Sequence, residues 1–367
     1  MREVNILHQP GRLDLIEIQH EKAKKRFFLL TTGLIGLTGV SLIVATAIGR
    51  VPISIADTLT TLISASGLSM GRDVDDSVKT VIVDLRLSRV VLSAFVGMAL
   101  SVSGAAFQGI LKNPLADPFT IGVSTGAAFG ASLAIFFGVS NFTLLGLGLI
   151  PVVASLGALT ALFVVLFLSR VDGRVRRDTM VLAGIVVATF LGALISLVKS
   201  LDEESVSSIV FWVMGSFQGR GWSHLGFALP YIIIGLILVV VHSRDLDLMT
   251  LGDSQAKQLG VNVSRTRRRV LIGASLLTAG SVSVSGVIGF VGLVAPHLIR
   301  LTVGPDHGRL FVLSGIAGML ALIWSDVGAR IILPEGEELP VGVITALLGG
   351  PFFCLLLKKR RVESGID

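Results

Sequence analysis

The sequence predicts an all-α integral membrane protein of about ten transmembrane helices. Three observations carry that reading. Hydrophobic residues make up 52% of 367 residues and charged residues only 15%, against about 25% charged in a soluble globular chain, and the mean hydropathy is +0.83. The apolar residues gather in ten runs of roughly spanning length, about 17–25 residues each. With both termini on the cytoplasmic side, 23 of the 31 lysines and arginines fall on that side, as the positive-inside rule requires. The net charge of +6 sits between apolar runs, so topology accounts for it and nucleic acid is not an expected partner. Single Cys354 excludes an internal disulfide.

In chain order, a polar cytoplasmic tail (1–27) precedes the first run, Phe28–Ile48, which is too long for a cleavable signal. Gly49–Arg89 lies outside, with a short surface helix expected over Ile53–Ile63. The next spans are Val90–Leu111, Phe119–Val139, Leu147–Leu168 and Thr179–Val198. Lys199–His224 returns outside, with Ile209–Phe217 expected as a short helix on the membrane face. Leu225–Val241 is followed by the largest internal loop, His242–Arg269. Val270–Ser285 and Val287–Val303 are short and joined through Gly286, Gly289 and Gly292, so one broken helix is an alternative there. Leu310–Ile332 and Val341–Leu357 complete a single permease domain, 28–358, before the tail 359–367. Glycine is abundant, 42 residues, which suits helices that must approach closely where lipid supplies no hydrophobic drive.

Several motifs bear on chemistry. Gly122-Val123-Ser124-Thr125-Gly126 matches a nucleophile elbow, but that motif needs a strand-to-helix turn. Inside an apolar helix it reads as two close-packing glycines with Ser124 hydrogen-bonded in the bundle. His20-Glu21-Lys22-Ala23-Lys24 lacks the second histidine of a zinc site, and no other metal-ligand spacing occurs. No phosphate-binding G-x-x-x-x-G-K-[ST] exists, so ATP is not expected on this chain. In the large internal loop, Gly252 to Gly260 reads as a short helix bearing Ala256 and Leu259, N-capped by Asp253 and ended by a left-handed Gly260. Arg86, Arg89 and Arg330 lie at outer helix ends, reading either as interfacial snorkelling or as a positive surface for acidic groups on a partner. Asp326, four residues before Arg330, allows an i, i+4 pair. It is the one carboxylate inside a predicted span; ion-coupled secondary transporters usually bury carboxylates or unwound helices near the midplane, so this argues against proton coupling.

Other runs carry a resemblance. They are Arg86-Leu87-Ser88-Arg89, Ser103-Gly104-Ala105-Ala106-Phe107-Gln108, Asn113-Pro114-Leu115-Ala116-Asp117-Pro118, Leu182-Ala183-Gly184 and Phe211-Trp212-Val213-Met214-Gly215-Ser216. Gly289-Phe290-Val291-Gly292-Leu293-Val294-Ala295-Pro296-His297-Leu298-Ile299-Arg300 and Glu338-Leu339-Pro340-Val341-Gly342 follow. Together, and in this order, they resemble the FecCD-type permeases of type II ATP-binding cassette importers, from about Val83 to Lys358. Ser88 stands where that family often has proline.

The resemblance implies ten helices per subunit, paired as a homodimer or with a close paralogue in the bacterial cytoplasmic membrane. Two ATPase subunits, which carry the ATP and magnesium, would dock on the inner face and a substrate-binding protein on the outer face. It implies that Gly252, Asp253, Ala256, Leu259 and Gly260 form an ATPase-coupling helix. Arg86, Arg89 and Arg330 would meet acidic groups of the binding protein. Thr189, Ser196 and Thr345 would line the substrate path, and Asn113, Pro114, Pro296, His297 and Arg300 would be structural or gating residues. The substrate class expected first is ferric siderophore, with haem and cobalamin as alternatives.

Overall fold

The computed structural model describes residues 12–49, 51–65, 74–139, 143–144, 147–171, 174–334 and 337–364. Residues 1–11 of the N-terminal tail and acidic Glu335 lie outside them. Fifteen α-helices follow one another: α1 (Arg12–Ala47), α2 (Ile55–Ala65), α3 (Asp76–Thr80), α4 (Ser88–Leu111), α5 (Val123–Phe136), α6 (Ile150–Leu168), α7 (Arg177–Leu201), α8 (Glu203–Met214), α9 (Trp222–Val241), α10 (Ser243–Thr250), α11 (Asp253–Gln258), α12 (Val263–Ser285), α13 (Val291–Val303), α14 (His307–Ile331) and α15 (Val341–Ser364). The ten expected runs fall on α1, α4, α5, α6, α7, α9, α12, α13, α14 and α15. Both expected surface helices are present, as α2 and α8. The α5–α6 and α6–α7 links each close on a two-residue antiparallel pair, and the architecture is all-α.

Three boundaries differ from the reading of hydropathy alone, each for a local reason. The second span starts well before Val90. Asp75 accepts from the Ser77 N–H to cap α3, and the helix continues through a π-helical stretch, Val81–Leu87, into α4. Ser88 ends that stretch by donating its hydroxyl to the Asp84 carbonyl. The third span opens as a 3₁₀ turn, Pro118–Ile121, and Gly122 (φ +81°) redirects the chain before α5 begins. The seventh and eighth spans are two helices, not one broken helix. Gly286 (φ +72°) and Phe290 (φ +68°) bound an irregular link between them, and a Cβ on Gly286 would lie 2.2 Å from the Trp212 carbonyl oxygen.

The core is centred on α4 and α12, most of whose residues are buried. Helix backbones touch there. A Cβ on Gly104 would sit 1.9 Å from the Gly292 carbonyl oxygen of α13, and one on Gly97 2.2 Å from that of Gly318 in α14. Hydroxyls add specificity: Ser103 donates to the Ala274 carbonyl (2.7 Å) and Ser101 to that of Ser314 (2.7 Å). Side-chain hydrogen bonds between membrane helices are worth about 0.6–2 kcal/mol each, so close packing carries most of the association. Gly104→Val is therefore expected to cost at least the 1–3 kcal/mol typical of overpacking, because its clash is with backbone. A thermal unfolding midpoint unchanged from wild type in the detergent-purified protein would contradict this contact.

The outer faces of α1, α7 and α9 are apolar and exposed, with Phe28, Phe190 and Ile237 each more than half accessible. Among the described residues, six helical segments are by themselves long and apolar enough to cross a membrane. The remaining spans are short or begin with charged turns, and they pack within the bundle or beside it.

Candidate functional site

The chemistry-bearing groups collect at the two ends of α4, whose 24 residues span about 36 Å at 1.5 Å per residue. At the end that the charge pattern places in the cytoplasm, α10 and α11 form a short helical pair. Gly252 is the N-cap of α11 and takes φ +124°, a conformation that favours glycine. Gly260 takes φ +88° two residues beyond the helix, the left-handed position expected of it. Ala256 is fully buried against Met249, Val261 and Val263, which fastens α11 to the domain. Leu251 and Leu259, one at each end of α11, are both 57% exposed although they lie in the polar loop rather than on a lipid-facing span.

Asp253 is not the cap. It is the first helical residue, and its carboxylate faces inward, 2.7 Å from Arg267 Nη2 and 3.8 Å from Lys112 Nζ. Burial alone would raise its pKa, but the Arg267 hydrogen bond and charge, with Lys112, hold the carboxyl below the usual carboxylate range. The cap is backbone geometry at Gly252, which frees the aspartate for these cations. The same loop makes two further ties. Asp245 accepts from the Thr266 hydroxyl (2.9 Å), and Asp247 accepts from both the main-chain N–H (2.9 Å) and Nδ1 (2.6 Å) of His307. The His307 ring is buried against α4, where a Cβ on Gly109 would be 2.5 Å from Nε2. The helical pair is thus bonded to α12, α14 and the C-terminal end of α4. Residue spacing did not reveal Asp245, Asp247 or His307. The available signal was Asp245 and Asp247, which with Asp253 are the three carboxylates of a predominantly basic loop.

Asn113 and Pro114 continue from Lys112, which ends α4 in the left-handed conformation. Asn113 Oδ1 accepts from the Leu115 N–H (3.0 Å), and Asp117 caps the 3₁₀ turn through the Phe119 N–H (3.1 Å). The segment is a double turn that brings the chain back to α5. Pro296 and buried His297 sit within α13, His297 edge-on to Phe352 of α15, and Arg300 follows one turn later, partly exposed.

At the opposite end, the three arginines are buried, and the expectation that they present a positive outer surface is corrected. Arg89 grips Asp326 (Nη2–Oδ1 2.8 Å, Nε–Oδ1 3.1 Å) and also Glu338 (2.8 Å). Arg330 forms the expected i, i+4 pair with Asp326 (3.3 Å). It donates besides to the Ile48 (3.0 Å) and Ala45 (3.1 Å) carbonyls. Arg86 donates to the Ala47 carbonyl (2.8 Å) and to that of Val51. A helix leaves its last four carbonyls without partners and carries partial negative charge there. Two guanidinium groups, Arg86 and Arg330, cap the end of α1 in this way, and Asp326 ties Arg330 to Arg89. Within this chain the cluster is a structural clasp, each cation already partnered.

The residues expected along a substrate path divide. Thr189 and Ser196, seven apart on α7, are exposed. Thr345 is largely buried and its hydroxyl donates to the Gly342 carbonyl (3.0 Å), and it stands in the wall of an apolar cleft of about 600 Å³ between α13, α14 and α15, away from Thr189 and Ser196 on α7. For the elbow-like motif, Gly126 packs closely as expected, a Cβ there meeting the Gly157 carbonyl at 2.6 Å. Ser124 is buried, but its hydroxyl has no hydrogen-bond partner among the described residues, which corrects the hydrogen-bonded reading. Ser124→Ala should leave stability and transport near wild type, since it removes an unsatisfied group. Loss of activity in a well-folded variant would reopen a nucleophilic role.

A model of the FecCD transport family matches residues 37–359. The chain is 46% identical over 292 residues to the uncharacterised ABC transporter permease protein YvrB of Bacillus subtilis, covering 79% of this chain and 82% of that protein. It is 39% identical over 304 residues to the cobalamin import system permease protein BtuC of Halobacterium salinarum, covering 83% and 80%. A solved structure described as an inward-facing conformation of a metal-chelate type ABC transporter aligns with TM-score 0.77 and 33% identity, over 90% of this chain and 98% of that one.

Proposed function

The chain belongs to the FecCD transport family, and on that premise we propose that it is the permease subunit of a binding-protein-dependent, ATP-driven importer whose substrate is a ferric siderophore. The observation that carries the mechanism is the α10–α11 pair. It offers two exposed leucines beyond the membrane and is bonded to three core helices through Asp253–Arg267, Asp253–Lys112 and Asp247–His307. A rigid element held on one side by ion pairs and a buried Ala256, with exposed leucines at its ends, can pass a displacement inward. Closure of two ATPase subunits, which bind the ATP and magnesium, would move α11, and the ion pairs would carry that movement to α4, α12 and α14. Coupling of this kind needs an interaction that differs between two states, and closing ATPases supply one.

A second copy of the chain or a close paralogue would complete the path, with Thr189 and Ser196 on the α7 face. A binding protein would deliver substrate from outside the bacterial cytoplasmic membrane. The siderophore reading is supported by the likeness to a metal-chelate type transporter. Cobalamin is the second reading, supported by the likeness to BtuC, with haem behind it.

The test is the native mass and subunit content of the tagged chain extracted gently from its host, with and without Leu251→Glu and Leu259→Glu. The expected result is two permease and two P-loop ATPase subunits in the wild type, and at least a tenfold loss of ATPase recovery in the double variant. That loss is the scale of removing apolar anchors from the centre of an interface, about 1.4 kcal/mol or more. A lone chain that transports without ATP would overturn the proposal.

A further inference from the structure

A basic cleft at the cytoplasmic edge of the bundle has no part in the proposed transport mechanism. It measures about 330 Å³ and is lined by Lys22, Ala23 and Arg26 of α1, Thr302 and Val303 at the end of α13, and Arg309 of α14. Lys22 and Arg26 are one helical turn apart and so share a face. Arg309 reaches towards them, its guanidinium carbon 6.0 Å from the centre of the Phe27 ring. Among the described residues none of these three cations pairs with a carboxylate, in contrast to the arginine clasp, where Asp326 pairs with Arg89 and Arg330 and Glu338 with Arg89. Three like charges brought together without counter-charge repel one another unless an anion joins them.

The surroundings identify the anion. Lys22 and Arg26 lie directly before the first apolar run, and Arg309 directly before the apolar run of α14, so all three stand where the hydrocarbon layer begins. Next to them the surface turns apolar and unpacked: Phe28, Leu29 and Leu301 are 68%, 69% and 71% exposed. Leu29 and Gly33, seven and eleven residues beyond Lys22, prolong the same stripe of α1, and nothing lies within 4 Å of a Cβ on Gly33. Charge at headgroup level, continued by an open apolar stripe, matches a molecule that is anionic at one end and hydrocarbon at the other. We propose that this cleft binds the phosphate of an anionic phospholipid, whose acyl chain lies along α1. Basic pockets between membrane helices on the cytoplasmic side are suited to such headgroups. The lipid would hold the long first helix against α13 and α14 at a level where protein contacts are few. The inference needs only that the chain is embedded in a membrane, so its failure would leave the importer reading standing.

The test is native mass spectrometry of the full-length protein in detergent, with phosphatidylglycerol or phosphatidylcholine added separately. Two charge-matched variants on the same helix are compared: Lys22→Glu with Arg26→Glu, which line the cleft, and, as the control, Lys24→Glu with Lys25→Glu, which are not among its lining residues. The expected result is a preference of about tenfold or more for phosphatidylglycerol, lost in the cleft variant and kept within about twofold in the control. If the cleft variant does not yield folded protein, Arg309→Gln gives the same reading with a milder change. Equal losses in both double variants would show a general charge effect and overturn the site. Displacement of the lipid by an equal concentration of inorganic phosphate would make it a free-anion site and overturn the lipid assignment. A cleft variant that keeps the lipid but loses a co-purifying ATPase subunit would make the cleft a protein contact, and the proposal would fail.

Discussion

Asp326→Ala should lower the stability of the folded chain by about 3–5 kcal/mol, the usual cost of removing one partner from a buried ion pair. Asp326 is fully buried and serves two arginines at once, Arg89 and Arg330. Without it, Arg89 keeps only Glu338, and Arg330 keeps only main-chain carbonyls, those of Ala45, Ile48 and residue 326. The loss should not be confined to one helix. Arg330 and Arg86 together cap the end of α1, so α1 should loosen from α14 as the clasp opens. Asp326→Asn retains acceptor capacity without the charge and should fall between wild type and alanine. Thermal unfolding of the purified protein, followed by protease access to the α1–α2 link, tests both statements. A midpoint for Asp326→Ala equal to that of wild type would show that the clasp does not hold the outer end together.

The second large effect is expected at the opposite end of the molecule. Asp247→Ala removes the acceptor for both the main-chain N–H and the ring of His307, and with it the tie between the α10–α11 pair and α14. Couplings between sites are typically 1–3 kcal/mol, which corresponds to about 5- to 150-fold. Transport by the reconstituted importer should fall within that range while its ATPase subunits still bind and hydrolyse ATP. The expected signature is more ATP consumed per substrate moved. Loss of ATPase binding instead would assign Asp247 to assembly, and unchanged transport would remove it from the coupling route. His307→Gln, which cannot restore the same two-point contact, should resemble Asp247→Ala, and combining the two should add little, because both act on one contact.

Much of the architecture was legible in the chain because membrane helices announce themselves by length and composition. A run such as Leu310–Ile332 must bury its backbone polarity in helical hydrogen bonds whatever it packs against, so α14 was found to within a few residues. Gly260 was legible for a comparable reason: a left-handed position after a helix favours glycine strongly. Asp253 was misread because an aspartate before a short helix is usually a cap. Nothing local indicates that Arg267 and Lys112 converge on it from two other helices. Ser124 was misread in the same way, since whether a buried hydroxyl meets a carbonyl depends on the register of neighbouring helices.

The sequence by itself determined the class of protein, the order and number of its spans, the side on which its positive charge lies and the position of the short cytoplasmic helix. Each of these follows from periodicity, composition or backbone preference along one stretch of chain. The tertiary structure alone decided what the ionisable groups do. Arg86, Arg89 and Arg330 are equally basic in the sequence whether they face a partner or close a clasp. Burial beside the free carbonyls of α1 and next to Asp326 settles the matter within this chain, because a charge removed from water needs partners. Likewise Asp247 and His307 are 60 residues apart, and only the packing of α10 beneath α14 makes them a single contact. Long-range pairing is a property of the fold, and no local signal carries it.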